Sequence, residues 1–198
     1  MLPYKLFSKI YTGSYWRIDQ TLTSIYLTFD DGVNPATTPF ILETLREFEV
    51  KATFFCIAKN VDRYPELFRQ IMMDGHAVGN HTYSHLNGFK TDLKEYVDDA
   101  MLASHFIPGD LFRPPYGRLT LQQFRALKNQ FRIVFWSRLS WDFDPRITPE
   151  KCLDKVKNTR PGDIVVFHDS QKAFPRLQYT LPHYLELMKK KGFKFDTL

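Results

Sequence analysis

Two short segments carry residue types that can hold a metal ion. Thr28-Phe29-Asp30-Asp31-Gly32 places two carboxylates side by side, and His81-Thr82-Tyr83-Ser84-His85 places two imidazoles four positions apart. Asp31, His81 and His85 make a set of one carboxylate and two imidazoles. Three protein ligands leave a coordination position open, which is the mark of a catalytic rather than a structural site. The His-x-x-x-His spacing predicts both rings on one side of a helical turn. Asp30 is then left over, and a carboxylate beside a cation can take a proton from attacking water. The chemistry these residues equip is metal-assisted hydrolysis.

Three further positions complete such a site. His168 closes the apolar run Ile164-Val165-Val166-Phe167 and suits a general acid that protonates a leaving amine. Asp142, in Trp141-Asp142-Phe143-Asp144-Pro145, can fix the tautomer of His168 and raise its pKa. Asp144 competes for that role, although Asp144-Pro145 reads as turn chemistry. Arg113, in Arg113-Pro114-Pro115-Tyr116-Gly117, carries a rigid fork able to lock one carboxylate bidentately, and Asp30 is its natural partner. The two prolines stiffen the turn, so the Tyr116 amide can be presented as an oxyanion donor.

The elements that must position these residues alternate along the chain. Strands are predicted at 25–28, 52–57, 77–79, 111–113, 132–136, 163–167 and 193–195. Helices are predicted at 38–48, 65–73, 92–105, 121–128, 149–158 and 182–191. Such alternation argues for a parallel sheet with crossover helices. Asp30, Asp31, His81, Arg113, Asp142 and His168 all fall just after strands. In a βα barrel those C-terminal strand ends converge on one mouth, whereas a doubly wound sheet gathers its site at a single switch point. An incomplete βα barrel is therefore expected, as one domain over 1–198 with its core about 23–195.

The 198 residues are 43% hydrophobic and 16% aromatic, with eighteen Phe and ten Tyr, enough for a full core and for a groove where sugar rings can stack. Net charge is +5, but Lys and Arg are scattered, and the one dense run, Lys189-Lys190-Lys191, ends a predicted helix where cations favour the dipole. Nucleic-acid binding is not expected. Cys56 and Cys152 form no Cys-x-x-Cys, and Cys56 reads as a buried thiol. No apolar stretch suits a signal peptide or a membrane span, so a cytoplasmic protein is the expectation from sequence.

With these motifs in order, the chain resembles the polysaccharide deacetylases of carbohydrate esterase family 4, built on the NodB homology domain. The resemblance runs from about Thr23 to Phe195. Thr28-Phe29-Asp30-Asp31-Gly32 is similar to the first motif, whose first Asp is the base and whose second binds metal. His81-Thr82-Tyr83-Ser84-His85 is similar to the second, Arg113-Pro114-Pro115-Tyr116-Gly117 to the third, and Val166-Phe167-His168-Asp169 to the fifth, whose His is the acid. The resemblance implies a distorted (β/α)7 barrel and a metal that is usually zinc, with cobalt and nickel as alternatives. It also implies hydrolysis of N-acetyl groups from an N-acetylglucosamine-containing glycan of chitin-oligomer or peptidoglycan type. Tyr116, Trp141, Phe143 and Val166 would contact substrate. The fourth motif usually reads Asp then Trp; here it is Asp142-Phe143, which keeps an aromatic wall. Val166 stands where Leu is usual, a small loss of bulk in the acetyl-methyl pocket that suits a slightly different acyl group. Some relatives take O-acetyl or formyl groups instead, and many act outside the cell, against the cytoplasmic expectation. The metal set also suits a non-haem iron oxygenase, but a dedicated base and acid serve hydrolysis. An inactive glycan-binding module is a further alternative, since fold does not imply activity. Oligomeric state is left open.

Overall fold

The computed structural model describes residues 8–18 and 23–198. Its spine is β1 (Ser24–Asp30), buried along its whole length. A strand covered on both faces belongs in the middle of a parallel sheet. Accordingly β1 pairs in parallel with β2 (Thr53–Cys56) on one edge and β7 (Ile164–His168) on the other. The sheet continues through β3 (Ala77–Asn80), β4 (Leu111–Phe112) and β5 (Arg132–Ile133) on one side and β6 (Arg138–Leu139) on the other. Its order is β5-β4-β3-β2-β1-β7-β6, with every named pair parallel. The final strand, β8 (Lys194–Asp196), pairs with Ser24–Tyr26 of β1, while β2 takes Thr28–Asp30. Since β7 occupies the opposite edge, β8 and β2 share one edge of β1 end to end.

The sheet curls with helices outside it, as the distorted (β/α)7 barrel requires. Among the described residues β5 and β6 do not pair with each other, so the barrel is open there. The N-terminal segment crosses this opening. Tyr15 donates to Ile133 O (2.8 Å) and accepts from Phe135 N (2.7 Å), and Ile18 N donates to Gly162 O (2.8 Å). The predicted strand at 132–136 is shorter than expected, Arg132–Ile133, although Val134 N still donates to Phe112 O of β4 (2.8 Å) while Tyr15 bonds the other edge.

The crossover helices are α1 (Thr38–Glu47), α2 (Ala58–Arg63), α3 (Pro65–Met73), α4 (Leu93–Ala103), α5 (Leu121–Leu127), α6 (Pro149–Val156) and α7 (Phe174–Lys190). Asp92 caps α4 by accepting from Glu95 N (3.0 Å), as its residue type suggests. Among the described residues α2, β6 and the 3-10 turns Gly88–Lys90 and Pro115–Gly117 are additional to the prediction, all too short to show a period. The last helix begins at Phe174 rather than Pro182, and Pro182 lies inside it. Proline costs the helix a hydrogen bond to the carbonyl four residues earlier. That residue, Gln178, is on the exposed face, while Leu177, Leu181, Tyr184, Leu185 and Met188 are buried against the sheet and outweigh the loss. Cys56 and Cys152 are both free and buried. No helix among the described residues is long and apolar enough to cross a membrane.

Candidate active site

The chain leaves β1 at Asp31 in the left-handed region (φ 77°). Asn60 Nδ2 of α2 donates to Asp31 O (3.0 Å) and Ile57 N to Gly32 O (2.7 Å), which fixes the bend. Gly32 is required there. A Cβ would stand 2.4 Å from Asp169 Oδ2.

The segment after β3 is not a helical turn, contrary to the prediction for His81 and His85. Thr82 and His85 both have positive φ (63° and 58°). The amides that a helix would use internally go elsewhere: Thr82 N to Asn80 Oδ1 (2.8 Å), and Tyr83 N and Ser84 N to Asp99 Oδ2 (2.9 and 3.0 Å). Ala58 N and Lys59 N of α2 take the Thr82 and Tyr83 carbonyls. The loop is thus bent around side-chain acceptors, and it still brings both rings to Asp31. His85 Nε2 lies 3.2 Å from Asp31 Oδ1 and His81 Nε2 3.7 Å from it. One ligand atom from each of the three residues falls within 4.8 Å of the others.

This donor set fits a divalent cation. His81 Nδ1 bonds the Arg113 carbonyl (2.7 Å), which leaves its Nε2 lone pair toward Asp31. Burial lowers the His81 pKa to about 4, so the ring is neutral, as a ligand must be. Burial works against the charge of Asp31, but a hydrogen bond from His85 and the neighbouring histidines hold its carboxyl well below the usual range.

Asp30, 4% exposed, accepts from Arg113 Nη1 (2.7 Å). The bidentate pairing expected of Arg113 is not formed. Its other donors go to Thr28 Oγ1 (2.7 Å, shared by Nη1), Phe135 O (3.1 Å) and Val134 O (3.4 Å). A fully buried guanidinium has five N–H groups to satisfy, and one carboxylate cannot take them all. Its plane also lies 4.0 Å from the Phe55 ring centroid. Arg113 therefore ties β4 to β1 while holding Asp30 in place.

On the opposite wall, His168 Nδ1 meets Asp142 Oδ1 at 2.7 Å, and His168 N donates to Asp142 Oδ2 (2.9 Å). Burial alone would lower the His168 pKa. The Asp142 charge and hydrogen bond, with help from Asp31 and Asp30, push it instead to about 9. Asp144 does not take part. Arg146 claims both its oxygens and holds its pKa at about 2, the turn chemistry its sequence suggests.

These groups open on one cleft of about 500 Å³. Tyr116, Trp141, Phe143 and Val166 all line it. The Tyr116 ring lies 4.6 Å from His85, and Phe143 meets His168 edge-on at 4.9 Å. Tyr116 has φ 60°, and the amides of Gly117 and Arg118 are used within its turn by Pro114 O and Pro115 O. Gly117 lets that turn press on Trp136, whose ring a Cβ would meet at 2.6 Å. Trp136 and Leu139 also line the cleft and carried no sequence signal beyond their hydrophobicity. Nor did Asp99, which organises the His81–His85 loop. Asp169 directly follows His168 and was legible only by that adjacency. It is fully buried, its carboxylate bonded by the Thr37 and Thr38 hydroxyls and its pKa raised to about 7 by burial.

A family model described as polysaccharide deacetylase matches residues 18–133. The chain is 33% identical over 194 residues to a peptidoglycan-N-acetylglucosamine deacetylase of Bacillus cereus, covering 92% of this chain and 90% of that one. It is 38% identical over 167 residues to a chitooligosaccharide deacetylase of Azorhizobium caulinodans, covering 79% of each. Among solved structures, a peptidoglycan N-acetylglucosamine deacetylase superposes with TM-score 0.86 at 28% identity, over 100% of this chain and 95% of that one. A mutant of a family 4 pseudoenzyme, described as having restored enzymatic activity, superposes with TM-score 0.82 at 26% identity, over 92% and 68%.

Proposed function

The chain belongs to the polysaccharide deacetylase family, and on that premise we propose that it is a metal-dependent hydrolase removing N-acetyl groups from an N-acetylglucosamine-containing glycan. The observation that carries this reading is the convergence of Asp31, His81 and His85 beside two separately supported titratable groups, Asp30 and His168, in one cleft. The relatives named as acting on peptidoglycan and on chitooligosaccharides motivate the substrate class.

Asp31, His81 and His85 would hold the cation, zinc by family resemblance with cobalt or nickel as alternatives. When bound, it supplies Lewis-acid polarisation of the acetyl carbonyl and acidifies water. Asp30, oriented by Arg113, takes the proton of the attacking water. The Tyr116 amide would donate to the charge that develops on the carbonyl oxygen. His168 delivers its proton to the departing nitrogen, and Asp142 keeps the ring oriented and protonated. Water adds to the carbonyl carbon and the C–N bond breaks, giving acetate and a free amine. Tyr116, Trp141 and Phe143 offer faces for the sugar, and Val166 bounds the methyl group.

A second reading, glycan binding without turnover, is raised by the pseudoenzyme neighbour. The intact ligand set and the paired acid and base favour turnover. The deciding experiment is acetate release from a panel of acetylated oligosaccharides, with mass-spectrometric detection of each lost acetyl. Release that stops with a chelator and returns with zinc supports the proposal. Tight binding without release supports the alternative.

A further inference from the structure

The guanidinium that holds the catalytic base is itself held from two directions. Arg113 Nη1 bonds Asp30 and Thr28 of β1, while Nη2 and Nε go to the carbonyls of Phe135 (3.1 Å) and Val134 (3.4 Å), past the end of β5. Val134 is tied to β4 through Phe112 O. Phe135 stands at the open side of the barrel, and the N-terminal segment holds it there. Its N donates to Tyr15 O (2.7 Å), the Trp16 ring stacks on its ring (4.3 Å between centroids, 11° between planes), and the Tyr11 ring lies 5.4 Å away. The segment is braced within itself: Trp16 Nε1 donates to Ser14 Oγ (2.8 Å), and Ser14 Oγ donates to Tyr11 O (2.6 Å). Tyr11 OH also bonds Leu119 O, just past the turn that carries Tyr116. Phe135 is thus a link, with its amide on the N-terminal segment and its carbonyl on Arg113.

A fully buried guanidinium follows the carbonyls that satisfy it, because an N–H left unbonded there loses its hydration without compensation. A shift of Phe135 therefore passes to Arg113 and, through Nη1, to the Asp30 carboxylate. We propose that residues 11–16 are a positioning strap for the catalytic base, with Trp16 as a positioning residue that acts through Phe135 and Arg113 on Asp30. This rests on the deacetylase reading above and extends its machinery to a segment none of whose residues lines the cleft.

The test uses the full chain supplied with zinc, on an acetylated oligosaccharide that it turns over, well below the melting transition. Trp16→Leu keeps most of the apolar bulk but loses the flat face against Phe135; Trp16→Phe keeps that face. The Leu variant is expected to lose roughly tenfold in kcat with KM little changed, the scale set by a displaced catalytic group. The Phe variant should stay within about twofold of wild type, its base still in register. Arg17→Gln removes anchors that the same segment makes across the opening, to Pro161 O (2.8 Å) and Asp163 Oδ1 (3.0 Å), and should lower the melting temperature while kcat holds. The Arg113 signal in an arginine side-chain NMR spectrum, identified by its loss in Arg113→Lys, should move in Trp16→Leu and stay in place in Arg17→Gln. Unchanged kcat in Trp16→Leu, a loss confined to KM, or an unmoved Arg113 signal overturns the proposal. So does an equal loss of kcat in Arg17→Gln or in Trp16→Phe. If wild type releases no acetate from any acetylated oligosaccharide, the deacetylase reading itself falls, and the NMR comparison alone decides whether the strap reaches Arg113.

Discussion

Adjacent carboxylates repel, and Asp30 and Asp31 tolerate adjacency because each has its own partners. Asp30 meets a buried guanidinium and Asp31 meets two imidazoles. Asp30→Asn keeps the shape but accepts no proton. Acetate release should fall by about 10²–10⁴-fold, while metal analysis still finds one equivalent bound; near wild-type turnover would remove Asp30 from the mechanism. His168 must be protonated to act as an acid. Its folded pKa is raised to about 9, so activity should persist below that value and decline as pH rises through it. A cation neutralising Asp31 removes part of the support and moves the decline to lower pH. Asp142→Asn strips the largest raising cause and leaves burial to act, so the alkaline limb of the kcat profile should shift to lower pH. An unmoved limb would mean that His168 is not the group titrating. The pairing of Asp142 with His168, and the exclusion of Asp144, were open in the sequence because both carboxylates lie in one short turn.

The loops after the strands do the positioning, and their conformations are unusual. Six described non-glycine residues have positive φ; Asp31, His85, Tyr116 and Trp141 line the cleft, Thr82 lies in the loop between His81 and His85, and Glu49 is elsewhere. Each costs roughly 1 kcal/mol or more relative to ordinary backbone. The Asn60 amide holds Asp31, backbone hydrogen bonds close the turns at Tyr116 and Trp141, and side-chain acceptors hold the Thr82–Ser84 segment. That is why the His81–His85 segment was misread as a helical turn. Residue spacing reports a period only when the backbone is regular, and here Asn80 and Asp99 redirect the amides. Asp99→Ala should therefore weaken metal affinity by about 10–100-fold, in the manner of groups that orient ligands. A chelator-competition titration measures this, and thermal melting of the metal-free protein should move by only a few degrees. Unchanged affinity would show that the loop holds its shape without Asp99. The long elements were legible because each buries one continuous face; α2, β6 and the first turns of α7 were not, being short or interrupted by Pro182.

The whole molecule is organised about β1, whose two edges take three strands and whose C-terminal end delivers both Asp30 and Asp31. Phe29 and Phe54 stack at 5.0 Å across the β1–β2 pair, and both are fully buried. Phe54→Ala should cost about 3–5 kcal/mol, the usual range for emptying a large core site. A urea transition measures it, and a loss under 1 kcal/mol would mean that the sheet collapses onto the gap. The sequence by itself determined the alternation of strands and helices, the parallel barrel class, and the residue types of ligands, base and acid, because hydrophobic period and side-chain chemistry are local properties. Only the tertiary structure decided which atoms meet: one oxygen of Asp30 on Arg113, Asp142 rather than Asp144 on His168, and Asp99 behind the histidine loop. Those pairings join residues far apart in the chain. They are settled by strand order and by the need to satisfy every buried charge, and neither is written in any single segment.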